Sequence, residues 1–456
     1  MRYDKTVVSI SLIKERALAI GFDLVGVAPV TAGQDLEFSK QWVDRGFGGE
    51  MEYLKNPKRE DPRRVLPSAR SVICAGLIYN TPRPYSTEAC RGANAGAGGA
   101  QPHPAPASGA AATAEPDRPG GPFSRDDIPR AWISRYAWGH DYHEVMRAKL
   151  EKLRAAIEAL APQVETRVYV DTGPVVERAL ARYSGIGWMG KNTCLINEEK
   201  GSWFFLGVVL TSLELRPDMP APDRCGTCTR CLEACPTGAL VEPYVMDASR
   251  CIAYFTIELN GSIPREFRPA VGSNVFGCDI CQDVCPWNSR SSGQLPVASG
   301  QLRVASSQRR SVAVTSLDEF QPLEVSVSVA SHSTPSPPAP LPQGEGGRRP
   351  GEGSVQSPTR SFSLFNPPLE ALASFATEDF GRAFARSPIK RAKYRGWLRN
   401  LCVAIGNSGD RRFVPWLEKA ARHPHPVIRE HAEWALERIA REEQKEGSGA
   451  PRRVAS

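Results

Sequence analysis

The sequence predicts an α+β protein with three successive parts. Segments of helical and strand periodicity alternate through residues 1–219, which indicates a domain built around a sheet. Eight of the twelve cysteines then lie between Cys225 and Cys285. Apolar residues recur at helical spacing from residue 361 onward. We therefore expect a sheet domain, a cysteine-rich module at 220–290 and a helical region at 361–442.

The first part contains the predicted strands and three predicted helices. Apolar runs predict strands at 22–28, 71–79, 166–170 and 203–212, and amphipathic spacing predicts helices at 9–20, 141–160 and 175–183. The residues expected on the buried faces of the first two helices are Leu12, Ile13, Leu18, Ala19, Val145, Leu150, Leu153 and Ile157. Residues 82–125 are dominated by Ala, Gly and Pro and are expected to be a disordered insertion.

The cysteines of the second part form two runs with a single cysteine between them. The first run is Cys225-x2-Cys228-x2-Cys231-x3-Cys235-Pro, and the second is Cys278-x2-Cys281-x3-Cys285-Pro. The first run has the bacterial ferredoxin spacing, in which the fourth cysteine binds the other cluster. The second run lacks the first cysteine of that pattern, because Val275 stands there. Cys251 is the expected replacement.

This pattern predicts two [4Fe–4S] clusters with interleaved ligands. One cluster would be bound by Cys225, Cys228, Cys231 and Cys285, and the other by Cys278, Cys281, Cys235 and Cys251. Zinc and disulfides are the alternative uses of such cysteines. A run of three cysteines at x2 spacing that ends in x3-Cys-Pro is more specific than a single C-x2-C pair, and it favours the clusters.

The remaining composition indicates a cytoplasmic protein without a membrane anchor. Cys74, Cys90, Cys194 and Cys402 are scattered without disulfide spacing, and the chain opens without a signal-peptide pattern. The longest apolar runs are too short to span a bilayer. The formal net charge is +7. Residues 381–440 hold 13 Lys or Arg and 5 Asp or Glu, a net of +8 (13 − 5), which indicates either a polyanion partner or a solvated helical face.

The helical region follows a second low-complexity insertion, predicted at 291–360. Two apolar stripes, separated by a turn at 407–410, predict two amphipathic helices that resemble a HEAT-type repeat; a generic helical hairpin is the alternative. The stripes consist of Trp397, Leu398, Leu401, Ala404 and Ile405, then Val427, Ile428, Ala432, Ala435, Leu436 and Ile439. The basic residues expected on the opposite, outward side are Arg391, Lys393, Arg395 and Arg399. Residues 443–456 are expected to be a disordered tail.

Four polar motifs in the first part are candidates for chemistry. In chain order they are DPRR at 61–64, SRYAWGHDYH at 134–143, VDTGP at 170–174 and GWMGKNTC at 187–194. Asp171 follows a predicted strand, where a polar side chain is well placed for catalysis. Its alternative role is to cap the helix that follows.

These motifs, in this order and followed by the cysteine runs, resemble the epoxyqueuosine reductase family. The resemblance covers most of residues 1–290 and extends to the tail, but it excludes both insertions. It implies reduction of epoxyqueuosine to queuosine at the wobble position of tRNA, the last step of queuosine synthesis. It also implies a cobalamin cofactor, two [4Fe–4S] clusters and an α/β cobalamin-binding domain similar to nitroreductases and reductive dehalogenases.

The resemblance also implies roles for individual residues. Asp171 would be the proton donor, and His143 would lie at the active site. Further cobalamin contacts would come from Arg63, Ser134, Lys191 and Asn192. Basic C-terminal helices would hold the tRNA, and an external flavodoxin or ferredoxin would supply electrons.

The electrons and protons that reduction of an epoxide requires are consistent with these roles. Opening an epoxide to an alkene consumes two electrons and two protons, and iron–sulfur clusters deliver electrons singly. A corrin cobalt can carry the difficult reductive step. A carboxylic acid kept protonated by burial can protonate the leaving oxygen. The alternatives are a corrinoid iron–sulfur enzyme of the dehalogenase type acting on a small molecule, a ferredoxin-like electron carrier and a cobalamin-trafficking protein.

Overall fold

The computed structural model describes residues 9–31, 33–89, 128–288, 312–328 and 359–447. The strands are β1 Leu24–Pro29, β2 Ser71–Ile78, β3 Trp132–Ile133, β4 Thr166–Tyr169, β5 Trp188–Met189, β6 Leu195–Ile196, β7 Phe204–Thr211, β8 Leu240–Glu242, β9 Val245–Met246, β10 Asn274–Phe276, β11 Glu324–Ser328 and β12 Thr359–Ser363. The helices are α1 Ile10–Ile20, α2 Gly33–Asp44, α3 Ser86–Ala89, α4 Tyr142–Leu160, α5 Glu177–Arg182, α6 Arg230–Ala234, α7 Arg268–Val271, α8 Ile280–Asp283, α9 Leu369–Ala373, α10 Thr377–Ala383, α11 Lys393–Ser408, α12 Val414–Ala420 and α13 Pro426–Gly447.

The chain forms two compact units, each assembled from three separate segments. The first unit comprises Met1–Pro84, Gly139–Cys251 and Asp279–Gln321, and the second comprises Tyr85–Trp138, Ile252–Cys278 and Pro322–Ser456. The boundaries at 219 and 290 predicted from composition therefore do not coincide with those of the compact units. Motif order and composition follow the chain linearly, whereas each unit collects segments that are distant in sequence.

A four-stranded sheet organises the first unit, with strand order β1-β2-β7-β4. Every pairing in it is antiparallel, so it is not the parallel sheet usual in an α/β domain. Helix α4 packs on one face, where a Cβ on Gly207 would lie 2.5 Å from a methyl of Leu150. Val208, the next residue, turns to the other face and joins a core with Leu180 of α5. Because both faces are covered, every residue of β2 is buried.

Two details of the predicted helices differ from the structure. In α1 the buried residues are Ile13 and Ala17, whereas Leu18 is 53% exposed and Ala19 is also exposed. Positions 13 and 17 are one helical turn apart, which makes a narrower buried stripe than the sequence suggested. In α4, Met146 joins Leu150, Leu153 and Ile157 in the core, while Val145 is only partly buried.

The second unit is mainly helical, and α11 is its centre. Ten consecutive residues of α11, Trp397 to Gly406, are buried, because α13 packs along the helix and α9 and β10 also contact it. Burying one large aliphatic side chain in such a core contributes about 1.5–3 kcal/mol. The turn predicted at 407–410 exists in part, since Ser408 ends α11 and Gly409 follows at φ 67°. A 3-10 turn and the extra helix α12 then precede α13, so the two long helices are not joined directly.

The predicted insertions and tail also contain ordered elements. Strand β11 pairs in antiparallel fashion with β12, and both begin inside the range 291–360. Val325 and Val327 are buried, so alternating apolar residues inside a polar range formed a strand that overall composition concealed. The four-residue helix α3 lies at the start of the range 82–125, and α13 extends past residue 443 to Gly447. A 3-10 turn at Asp318–Phe320 precedes β11 and contains the buried Phe320. Residues 90–125, 291–311, 329–358 and 448–456 lie outside the described residues.

Candidate active site and cysteine segments

The start of α4 places His143 between two carboxylates. Asp141 is the N-cap of this helix, and its Oδ1 accepts a hydrogen bond from the backbone N–H of His143 at 3.0 Å. The same oxygen lies 2.6 Å from Nδ1 of the His143 ring. Nε2, on the opposite side of the ring, lies 3.3 Å from Oδ2 of Asp171. A helix cap therefore also fixes the orientation of the imidazole.

The charges of this group favour a protonated histidine. Burial opposes protonation of His143, but the hydrogen bonds and negative charges of Asp141 and Asp171 outweigh it and raise its pKa to about 9. Burial also disfavours the charged form of Asp141, yet its bonds with His143 lower the pKa of that carboxyl overall. At neutral pH, His143 is consequently an imidazolium ion held between two carboxylates.

Asp171 occupies a strained backbone position just after β4. Its φ is 51°, which is uncommon for a residue with a side chain. The N–H of Thr172 donates to the carbonyl of Val170 at 2.5 Å, so Asp171 is the central residue of a three-residue turn. Strain of this kind is concentrated at functional sites. The side chain is 49% exposed, which differs from the burial expected to keep it protonated. The raised pKa of His143 favours a proton on the imidazole.

Glu177 and Arg59 border the same turn. Glu177 opens α5, and shielding from solvent, with the Asp171 charge also contributing, raises the pKa of its carboxyl to about 7. Within the described residues, its Oε1 is buried without a hydrogen-bond partner. Nη1 of Arg59 donates to the carbonyl of Gly173 at 3.1 Å, two residues after Asp171. This bond holds the chain just after the turn.

The segment 187–194 contacts the cysteine runs of the first unit. Nζ of Lys191 donates to the carbonyls of Gly226 and Cys228 at 2.6 and 3.0 Å. Nδ2 of Asn192 donates to the carbonyl of Cys281 at 3.1 Å. Lys191 and Asn192, predicted as cobalamin contacts, therefore use these donors to position the cysteine loops.

The cysteines of the predicted first cluster are neighbours in the fold. All described cysteines have free thiols. Burial raises the pKa of Cys285 to about 12, and the negative charges that add to this effect come from Cys225, Cys231 and Cys194. Cys285 is distant in sequence from the first cysteine run, but the fold places it close to Cys225 and Cys231. The described residues contain no group of three or more His, Cys, Asp or Glu that could hold a single metal ion. In a four-iron cluster each cysteine binds a different iron, so its sulfurs are further apart than the ligands of one ion.

The remaining predicted site residues are described by their own contacts and by the unit to which they belong. Arg63 is exposed and pairs with Asp61, two residues earlier, with Nη2 2.8 Å from Oδ2. Ser134 is buried in the second unit beside Gly277, where a Cβ would lie 2.4 Å from the Ser134 Cβ. Cys278 is the last residue of a segment counted with the second unit, whereas Cys235, Cys251 and Cys281 belong to the first.

Sequence reasoning did not select Glu177 or Arg59, and it included Asp141 only as part of the motif at 134–143 without giving it a role. The Asp-x-His spacing at the start of a helix signals the capping role of Asp141, because an N-cap side chain points back toward the first-turn N–H groups. Glu177 lies six residues after Asp171, but only the fold shows that its carboxyl reaches the turn. No comparable local signal identifies Arg59.

Comparison with known proteins places these features in context. Residues 224–288 match the family model described as "4Fe-4S double cluster binding domain", and residues 113–172 match "Epoxyqueuosine reductase QueG, DUF1730". The epoxyqueuosine reductase of Pseudomonas aeruginosa is 34% identical over 93% of this chain and 93% of its own length. That of Escherichia coli is 31% identical over 93% of this chain and 88% of its own.

Solved structures show the same likeness. A crystal structure of selenomethionine-labelled epoxyqueuosine reductase superposes with a TM-score of 0.67 at 25% identity, covering 96% of this chain and 94% of the other. A second, of epoxyqueuosine reductase with an epoxyqueuosine-modified tRNA-Tyr stem loop, gives 0.66 at 25% identity over 97% and 94%.

The match to a double-cluster binding domain and the likeness to curated reductases place the chain in the class of iron–sulfur oxidoreductases. Within that class, the chain belongs to the epoxyqueuosine reductase family.

Proposed function

We propose that this protein reduces epoxyqueuosine to queuosine in tRNA, with His143 and Asp171 supplying a proton to the departing oxygen. The observation that carries the proposal is the 3.3 Å contact between Nε2 of His143 and the strained Asp171. Conversion of an epoxide to an alkene takes two electrons and two protons and releases the oxygen as water. A proton source at the oxygen is therefore an essential part of any such site.

The two residues divide the work of proton transfer. His143 holds a proton at neutral pH, because Asp141 and Asp171 raise its pKa to about 9. Asp171 is more exposed than His143, with side-chain exposures of 49% and 22%, so its carboxyl is the one that can meet the substrate. In this scheme His143 passes its proton to Asp171, and Asp171 delivers it to the departing oxygen. Asp141, which fixes the ring through Nδ1, is a positioning residue.

Two [4Fe–4S] clusters would deliver the electrons. The ligand sets we propose are Cys225, Cys228, Cys231 and Cys285 for one cluster and Cys278, Cys281, Cys235 and Cys251 for the other. The proximity of Cys285 to Cys225 and Cys231 supports the first set. The indole N–H of Trp188 is buried beside Cys225 and has no hydrogen-bond partner in the described residues. Such a donor is suited to a cluster sulfur.

Cobalamin is proposed as the cofactor on the motif resemblance, and when bound it would supply the strong reductant. Three of the predicted cobalamin contacts make polar contacts with the protein itself. Arg63 is paired with Asp61, and the donors of Lys191 and Asn192 are directed at cysteine loops. Only His143 and Asp171 among the predicted contacts of the first unit remain for the reaction centre. We therefore assign no step to the corrin.

The substrate we propose is the tRNA itself, as in the relative bound to a modified stem loop. The helical region 361–442 would contribute phosphate contacts through its exposed cations, including Lys390 and Lys393. Its HEAT-like character is part of the same proposal. An external flavodoxin or ferredoxin would reduce the clusters. In the described part of the chain, no helix is long and apolar enough to cross a membrane.

The decisive experiment is turnover of reconstituted protein with epoxyqueuosine-containing tRNA. Anaerobically loaded enzyme, a chemical reductant and the tRNA are incubated, and the digested nucleosides are identified by mass spectrometry. Appearance of queuosine at the expense of epoxyqueuosine is expected. Persistence of epoxyqueuosine with loaded clusters and cobalamin, together with reduction of a halogenated phenol, would favour the small-molecule alternative.

A further inference from the structure

The short hairpin β5–β6 places a buried indole beside two cysteines of one proposed cluster. Trp188 is 3% exposed and packs against Cys285 in a small core that Cys225 also touches. Trp287 closes the other side, with ring centroids 5.0 Å apart and planes at 79°. The Trp188 ring is therefore fixed in place beside sulfur.

The indole N–H of Trp188 is an unsatisfied donor in the part of the chain that the structure describes. Within the described residues, Nε1 of Trp188 is buried and makes no hydrogen bond of full geometric quality. The N–H interacts weakly with the side chain of Cys225, and Cys225 packs against the same small core as the indole. The unsatisfied donor and a proposed cluster ligand are therefore neighbours. A neutral thiol is a weak acceptor, whereas a cluster-bound thiolate is a strong one.

We propose that the indole N–H of Trp188 donates a hydrogen bond to the cluster sulfur of Cys225 and raises the reduction potential of the cluster bound by Cys225, Cys228, Cys231 and Cys285. This inference rests on the ligand set given under the proposed function. Adding an electron increases the negative charge on the sulfurs, so a hydrogen-bond donor stabilises the reduced cluster more than the oxidised one. Trp188 is thus a positioning and tuning residue that touches no substrate.

The direct test is the midpoint potential of each cluster in Trp188→Phe, from a redox titration followed by electron paramagnetic resonance. Phe keeps the aromatic packing but lacks the donor. One net hydrogen bond is worth up to about a tenfold change in the reduction equilibrium, or about 59 mV for one electron. We expect one cluster to become harder to reduce by up to that amount and the other to be unchanged. Trp188→His, which retains a ring N–H, should restore part of the shift.

Trp287→Phe is the matched control, because it makes the same change in the neighbouring ring and leaves the Trp188 donor in place. Its potentials should equal those of the wild type. Unchanged potentials in Trp188→Phe with full iron content would overturn the proposal.

A measurement on protein with the native Trp188 covers the case in which Trp188→Phe fails to bind iron. Trp287→Phe is labelled with indole-15N tryptophan, and the reduced cluster is examined by pulsed electron–nuclear double resonance. A 15N coupling to one cluster supports the hydrogen bond, and its absence contradicts it. Failure of the hydrogen-bond proposal would leave clusters and epoxyqueuosine turnover intact. Failure of the proposed function would instead be seen as missing clusters or missing queuosine.

Discussion

Nε2 of His143 lies 3.3 Å from Oδ2 of Asp171, and this contact contributes to the raised pKa that favours a proton on the histidine. The sequence predicted that burial keeps Asp171 itself protonated. An exposed carboxylate beside an imidazolium does not need burial to serve as a donor, because a proton can be relayed to it as the leaving oxygen becomes basic.

Asp171→Asn should lose most turnover while retaining iron and cobalamin. Asn has nearly the same shape but no proton to transfer, and loss of a general acid costs about 10²–10⁴-fold in rate. Single-turnover conversion of epoxyqueuosine tRNA is the measurement. Asp44→Asn, at an exposed position in α2, is the control and should be unaffected. Near-normal turnover by Asp171→Asn would leave Asp171 with a purely structural role in its turn.

His143→Gln should change how stability depends on pH. The pKa of His143 is raised from 6.5 to about 9 in the folded protein. Its contribution to stability is therefore fully present below pH 6.5 and is lost as the pH rises through about 9. The free energy of unfolding, measured with urea at pH 6 and pH 9.5, should fall more between the two pH values in the wild type than in the variant. Glu177 titrates in both proteins, so its effect cancels. Parallel losses in the two proteins would contradict the imidazolium assignment.

Cys251→Ala should lower the iron content from about eight to about four atoms per chain, since it removes the ligand proposed for the incomplete second run. The other cluster should keep its spectrum. Cys402→Ala is the matched control, because Cys402 is a buried thiol of α11 outside both cysteine runs. Full iron in Cys251→Ala would show that another residue completes the second set.

Arg399→Ala should destabilise the second unit rather than weaken tRNA binding alone. Helical spacing placed Arg399 with the outward basic residues, but it is 1% exposed and its Nη1 donates to the carbonyls of Leu259 and Gly261 at 2.7 and 2.8 Å. Its Nη2 donates to the carbonyl of Phe255. Removing a buried cation bound to three carbonyls should cost on the order of 3 kcal/mol in the free energy of unfolding. In the same urea titration, Lys390→Ala, at an exposed residue, should change stability by less than about 0.5 kcal/mol.

The double variant Lys390→Ala and Lys393→Ala should bind tRNA more weakly and with a shallower salt dependence. The slope of log affinity against log salt is negative, and each phosphate contact removed reduces its magnitude by about 0.7–0.9. Affinity is measured at several salt concentrations, with Lys152→Ala on α4 as a control of equal charge type. A slope identical to that of the wild type would place the tRNA contacts elsewhere.

The strands and long helices were predictable because their apolar spacing is local. Wherever the sequence predicted an end, the observed end lies within two residues of it, as in β2, β7, α4 and α11. Buried strands such as β2 are recognisable as continuous apolar runs. The cysteine ligands were identifiable because cluster chemistry requires short, fixed spacings.

Features that depend on distant segments could not be predicted in this way. The burial of Arg399 depends on carbonyls of residues 255–261, more than a hundred positions earlier. The strand β11 was hidden because only its alternating valines, and not its composition, indicate a strand. Lys191 and Asn192 share a motif with Trp188, but only the fold shows that this motif contacts the cysteine loops.

The three-segment construction of each compact unit also governs how the protein can form during synthesis. The first unit is incomplete until the ribosome has passed Gln321, although its first segment emerges within the first 84 residues. Cys225, Cys228 and Cys231 leave the ribosome more than fifty residues before Cys285. With the proposed ligand set, a nascent chain presents three thiols before their fourth partner, Cys285, so this cluster cannot be completed until translation has passed the second cysteine run. Completion of the cluster is thus ordered by chain topology.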